Sequence, residues 1–132
     1  MSRDARAVWL AYNEAENSSD YPAMMALIAP DLAVTVNGRP AVSSAEDDER
    51  AMRALKQAYP DYRRDVEEVI GAGDRAVARW RMIGSPASPD LAPLDVPGCS
   101  VVRTVGEVMV EAYLYHDGAA LDAVLEAAGA TS

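Results

Sequence analysis

The segment Tyr62-Arg63-Arg64-Asp65-Val66-Glu67-Glu68-Val69-Ile70, followed by Gly71-Ala72-Gly73-Asp74 and then Arg75-Ala76-Val77-Ala78-Arg79-Trp80-Arg81-Met82-Ile83-Gly84, decides the fold. β-branched and aromatic residues alternate with charged ones on both sides of a glycine-rich turn, which predicts an antiparallel hairpin from Tyr62 to Ile70 and back from Arg75 to Gly84. Along the return strand, Trp80 and Met82 share one face and Arg79 and Arg81 the other. Cross-strand ion pairs with Asp65, Glu67 and Glu68 are expected on the charged face. Were that face turned inward, the two guanidiniums would select a carboxylate-bearing ligand.

Working outward, residues 85–93 carry three prolines without periodicity and read as a loop. Strands are expected at about Leu94 to Thr104 and Glu107 to Tyr115, with a bulge at Pro97-Gly98. In the last strand, alternation puts Val110, Ala112, Leu114 and His116 on one face and Met109, Glu111, Tyr113 and Tyr115 on the other. Asp117 is placed to cap a final helix over Ala119 to Ala128, ended by Gly129.

Upstream, Ala5, Val8, Trp9 and Tyr12 have helical spacing and predict a helix from about residue 4 to Asn17. Ser19 or Asp20 caps a second helix with Pro22 in its first turn, ending near Ala29-Pro30-Asp31. Leu32 to Val36 reads as a short strand closed by Asn37-Gly38. Ser43 with Glu46 forms a capping box for a third helix reaching Ala58, whose acidic run Glu46 to Glu49 reads as its solvated first turn. The order αα, β, α, ββββ, α implies one α+β domain over residues 1–132, a curved, mostly antiparallel sheet wrapped around helices that encloses a pocket.

Charge and composition narrow the function. Twelve basic against 21 acidic residues give a net charge of −9, which disfavours nucleic acid and anionic membrane as partners. No apolar run approaches the roughly 20 residues of a membrane span, and no signal-peptide core follows Met1, so a cytoplasmic location is expected. Cys99 is the sole cysteine and His116 the sole histidine, so neither a disulfide nor a zinc site is expected. Cys99, with no histidine nearby in sequence, reads as a small buried thiol rather than a nucleophile.

Tyr59-Pro60-Asp61-Tyr62, Asp65 to Ile70, Gly73 to Trp80 and Gly84, together with Gly106-Glu107 and Val110 to Asp117, resemble the core hairpin and last strand of the SnoaL-like polyketide cyclase family. That family lies in the nuclear-transport-factor-2-like superfamily. The resemblance implies an α+β cone and, where the members are enzymes, cofactor-independent cyclase or isomerase chemistry on a small hydrophobic carbonyl metabolite. It also implies losses. The position of the aspartate that moves the proton in the cyclases is Leu114, and Gly84-Ser85-Pro86 departs from the family's Gly-Thr-His. Against the related ketosteroid isomerases, Tyr12 matches the oxyanion-holding tyrosine by its spacing to Asp20. The base falls beside Val36, with Asn37 the nearest polar neighbour, and the second acid falls near Gly98, so the usual acids are absent.

What remains for chemistry is His116, which titrates near neutral pH and shares a face with Leu114, as proton carrier, and Tyr12 as oxyanion donor. Each also has a purely structural reading, His116 as a ring beside the turn at Asp117-Gly118 and Tyr12 as a core aromatic. Trp80, Met82, Tyr59, Met24, Leu114 and Asn37 are expected to line the ligand pocket. The rival expectations are a non-catalytic pocket of the same fold and a homodimer formed through the outer sheet face, where Tyr113, Tyr115 and Met109 would otherwise be exposed.

Overall fold

The computed structural model describes residues 3–118, and the expected final helix lies outside them. Helix α1 (Ala5–Asn17) starts where the Asp4 carboxylate accepts the Ala7 N–H at 2.9 Å, and it buries Val8, Trp9 and Tyr12. Helix α2 (Tyr21–Met25) is capped by Asp20, which accepts from Ala23 at 3.2 Å, with Pro22 in its first turn. Strands β1 (Ile28–Val36) and β2 (Arg39–Val42) follow, then helix α3 (Ala45–Ala58). The chain finishes its described course as β3 (Arg63–Ala72), β4 (Arg75–Gly84), β5 (Leu94–Val105) and β6 (Val108–His116).

The six strands form one curved, unclosed sheet in the order β2-β1-β6-β5-β4-β3. Every pairing is antiparallel except β1 with β6, which is parallel. The hairpin quoted above is the β3–β4 pair, with Arg63 opposite Ile83 and Ala72 opposite Arg75, turning through Gly73 at φ +62°. The helices cover the concave face. Trp9, Trp80, Tyr59, Met24 and Leu32 are almost completely buried between the two layers.

Several local expectations are corrected. Helix α2 stops at Met25 because β6 captures the chain: Leu27 accepts the Met109 N–H at 2.8 Å and Ile28 pairs with Met109. The strand therefore begins four residues earlier than Leu32, and a register shift between Ile28 and Ala33 accommodates Pro30. Asn37-Gly38 does more than close a strand. Both residues have positive φ, +50° and +83°, the backbone of a two-residue hairpin turn, so an additional edge strand, β2, returns from it.

Helix α3 is capped by Ser44, not Ser43, since the Ser44 hydroxyl accepts the Asp47 N–H at 3.1 Å. No bulge occurs at Pro97-Gly98, where pairing to Arg81 and Trp80 is continuous; the irregularity in β5–β6 lies between Arg103 and Thr104. That shift turns Met109 inward. It is only 2 % exposed and joins Ala112 on the concave side, whereas Tyr113 and Tyr115 stay on the outer face.

Candidate functional site

Helices α1 and α3 and the concave face of all six strands line a cavity of about 90 Å³. That is space for several water molecules or a small organic ligand. Its wall is predominantly apolar, with Leu32, Val34, Met52, Leu55, Val102 and Met109 prominent. Five titratable side chains also reach it: Tyr12 and Glu16 from α1, Asp48 from α3, Arg64 from β3 and His116 from the end of β6.

Tyr12 and Asp48 form the first polar element. The Tyr12 hydroxyl donates to the Asp48 carboxylate across the gap between α1 and α3. Burial pushes the Asp48 pKa up to about 6, partly offset by this hydrogen bond, which favours the charged form. The same burial, with the neighbouring Asp48 charge, drives the Tyr12 phenol well above its ordinary value. Asp48 makes no ion pair among the described residues. A carboxylate whose pKa is held near 6 by an apolar cavity is a stronger base than one in water, yet still ionised at neutral pH.

Arg64 and Glu16 form the second. Both side chains are nearly inaccessible, 6 % and 3 % exposed, and they are ion-paired through Arg64 Nη2 and Glu16 Oε1. Arg64 Nε donates to Asn13 Oδ1 at 2.7 Å, and the guanidinium lies 5.3 Å from the Trp9 ring centre and 5.6 Å from that of Trp80. Its backbone is gripped as well: Arg64 N donates to Asn17 Oδ1 at 2.9 Å, while Asn17 and Asn13 donate to Arg64 O at 3.1 and 3.3 Å. Burial lowers the Arg64 pKa to about 10, so it remains a cation at neutral pH.

Of the residues expected from sequence, His116, Tyr12, Met82 and Leu114 line this one cavity. Leu114 sits opposite Val36 in the parallel β1–β6 pair, so the position where the resemblance implies an acid is an apolar patch of wall. The other four expected lining residues are not part of the wall. Trp80 lies behind it, its indole N–H donating to Ser100 Oγ at 2.9 Å, and its ring presses on Gly98, where an added Cβ would come within 2.6 Å. Tyr59 is fully buried at the end of α3 and donates to Ala92 O at 2.9 Å, and Met24 is fully buried in the core. Asn37 is exposed at the β1–β2 turn. It acts on the site indirectly, donating to His116 O at 2.9 Å and accepting from His116 N at 3.0 Å.

Asp48, Glu16 and Arg64 were not singled out from the sequence. Asp48 stands in the acidic run read as solvated, but its spacing of four and seven residues from Met52 and Leu55 is that of one helical face. Arg64 on β3 alternates with buried Tyr62 just before the strand, a period-two signal obscured by the charges around it. Arg79 and Arg81 are on the outer face, Arg79 with Glu67 and Glu68, Arg81 with Asp95, so neither can recognise a ligand in the cavity. Asp65 pairs with Arg63 instead of either. Cys99 is a half-buried thiol opposite Tyr115, away from the cavity. Among the described residues no group of three or more His, Cys, Asp or Glu could hold a metal ion, and no helix is long and apolar enough to cross a membrane.

Comparison with known proteins places this architecture. Wild-type IdmH of Streptomyces antibioticus, provisionally assigned as a polyketide cyclase, superposes with a TM-score of 0.77 at 20% identity, covering 94% of this chain and 99% of that one. A SnoaL-like protein from a Jannaschia species, also provisionally assigned as a polyketide cyclase, gives 0.74 at 20% identity over 94% and 90% of the two chains. A protein of ketosteroid isomerase-like fold from Catenulispora acidiphila, solved with trimethylamine, gives 0.74 at 17% identity over 90% and 92%. At these identities the likeness is one of fold, the nuclear-transport-factor-2-like cone. No match was found among curated proteins. The SnoaL-like domain family matches residues 9–112, most of the chain, including Tyr12, Asp48 and Arg64. This chain therefore belongs to the SnoaL-like domain family.

Proposed function

We propose that the cavity performs cofactor-independent acid–base chemistry on a small hydrophobic carbonyl compound, as a cyclase or isomerase. The observation that carries this reading is the Tyr12–Asp48 hydrogen bond inside an apolar cavity that His116 also lines. Asp48 takes a proton from the carbon next to the carbonyl. Once protonated, it can donate to the Tyr12 oxygen, which frees the Tyr12 hydrogen for the substrate oxygen. His116 returns or removes a second proton at the opposite end of the reaction. Asp48 thus takes over a role for which the chain lacks the usual acid at Leu114.

The test needs no knowledge of the natural substrate. Small ketones incubated with the protein in D₂O should exchange their α-protons faster than in buffer, and Asp48→Asn should abolish the acceleration. Ketone binding without exchange would instead support the second reading, a non-catalytic small-molecule-binding domain, which the apolar wall at Leu114 favours. In either case we propose a homodimer through the outer sheet face, where Tyr113 and Tyr115 are 36 % and 48 % exposed.

A further inference from the structure

We propose that Arg64 is the group that holds the substrate oxygen as it gains negative charge, and that it restricts the cavity to neutral carbonyl compounds able to form an enolate. The inference deepens the acid–base reading of the same cavity and rests on it.

Three features of Arg64 point this way. First, it is immobilised: Asn13, Asn17 and Glu16 hold its backbone and two of its guanidinium nitrogens, and its Cζ stands over the Trp9 and Trp80 rings at 5.3 and 5.6 Å from their centres. A side chain of high rotational freedom is fixed before any ligand arrives, which is what electrostatic stabilisation of a transition state requires. Second, Nη1 has no partner among the described residues, yet it is not one of the buried polar atoms sealed away without a partner. Since Arg64 lines the cavity, Nη1 is the donor it offers there. Third, Tyr12 and Arg64 line the same cavity, and each perturbs the other's ionisation through its charge.

Charge then decides the ligand class. Glu16 already neutralises Arg64, and Asp48 adds a carboxylate, so a ligand arriving as a carboxylate meets no net positive charge. A neutral carbonyl meets no such penalty. When a C–H bond beside it breaks, the proton goes to the Asp48 carboxylate and the C–H electron pair becomes the enolate double bond. The carbonyl π pair moves onto oxygen, facing Arg64 Nη1 and Tyr12. The negative charge has moved from Asp48 to the ligand oxygen, and total charge in the cavity is unchanged. Returning the proton to another carbon completes an isomerisation; in a ring closure the enolate carbon attacks a second carbonyl, the π pair of that carbonyl moves onto its oxygen, and that oxygen takes the proton back from Asp48.

The experiment uses acetylacetone, whose enolate has its own ultraviolet absorption, and 2-pentanone, which has one carbonyl fewer. Wild-type protein at neutral pH should bind acetylacetone at least tenfold more tightly than 2-pentanone and show the enolate band. Arg64→Lys keeps a cation beside Glu16 but loses the planar fork, and should lose about 10- to 100-fold in acetylacetone affinity while binding 2-pentanone nearly as before. The double variant Glu16→Gln/Arg64→Met removes both buried charges together, a change a fold tolerates far better than loss of one, and should behave likewise. Circular dichroism establishes that each variant is folded. An Arg64→Lys protein that keeps both the band and the preference overturns the proposal, as does a wild type with no preference for acetylacetone. If Asp48→Asn loses the band while Arg64→Lys keeps it, the acid–base reading stands and Arg64 is not the oxygen holder. If both variants keep it, the acid–base reading falls as well.

Discussion

The Tyr12 hydroxyl on α1 donates to the Asp48 carboxylate on α3, joining the two long helices at the edge of the cavity. Because burial raises the Asp48 pKa from 3.8 to about 6, this contact has a cost in stability as well as a use. Between those two pH values the folded chain binds more protons than the unfolded one, so stability falls as pH rises through the window. Asp48→Asn keeps an acceptor for Tyr12 and removes the charge. At pH 7.5 the variant should be more stable than wild type by roughly 2 kcal/mol, allowing for solvent reaching Asp48 through the cavity, and the difference should vanish below about pH 4. Thermal unfolding of both proteins across this range checks the sign.

The same substitution should cost activity where it gains stability. A general base contributes about 10²- to 10⁴-fold, so Asp48→Asn should slow α-proton exchange by that order. In the wild type, kcat/KM should rise with pH through about 6 as Asp48 ionises, and this limb should disappear in the variant. Tyr12→Phe should lower the rate and move the limb, since it removes the hydrogen bond that favours the ionised carboxylate.

How much of this could be read from the sequence follows from which residues carry periodic signals. The β3–β4 hairpin, the α1 face of Val8, Trp9 and Tyr12, and the inward-facing Leu114 and His116 are set by alternation between apolar and polar types. Asp48, Glu16 and Arg64 are polar residues turned inward, and pattern reading assigns such residues to solvent. They are recognisable only once three elements meet, because each is stabilised by a partner distant in the chain: Asp48 by Tyr12, Arg64 by Asn13 and Glu16. Met109 was misplaced for another reason. A one-residue shift between Arg103 and Thr104 reverses the face of everything beyond it, and no turn residue marks it.

Asn37 is the clasp that fixes the end of β6. Its side chain makes two hydrogen bonds to the His116 backbone, and its φ of +50° suits Asn or Gly. Asn37→Gly retains the turn and loses both bonds, so stability should fall by about 1 to 2 kcal/mol. The His116 amide, which donates to Asn37, should lose protection in hydrogen exchange while amides in the β3–β4 hairpin keep theirs. Unchanged protection at His116 would show that the clasp does not hold the strand end.

Gly98 lets β5 pass close to the Trp80 ring. An added Cβ would stand 2.6 to 2.7 Å from two ring carbons and 2.7 Å from the Tyr115 carbonyl oxygen, contacts that neither a fully buried indole nor a strand backbone can relieve cheaply. Gly98→Ala should therefore destabilise the fold by about 1 to 3 kcal/mol. Gly106→Ala has space around the Cβ and fails only through its φ of +62°, so it separates backbone strain from crowding. Chemical denaturation of the two variants makes the comparison.

The outer face of the sheet carries the proposal for self-association. Val77, Val101 and Tyr113 stand side by side across β4, β5 and β6, with Cys99 and Tyr115 in the adjoining row. Ion pairs border them, Arg79 with Glu67, Arg81 with Asp95 and Arg103 with Glu111. An apolar centre with both charge signs at its margin can meet its own copy across a two-fold axis, each arginine facing an acid of the partner. Sedimentation velocity at tens of micromolar should find wild type dimeric, and Tyr113→Glu, which adds an unpaired charge at the centre of the row, should yield monomers with unchanged circular dichroism. A wild type that sediments as a monomer removes the dimer proposal. Since the cavity opens on the other face, α-proton exchange should survive in Tyr113→Glu, separating assembly from chemistry.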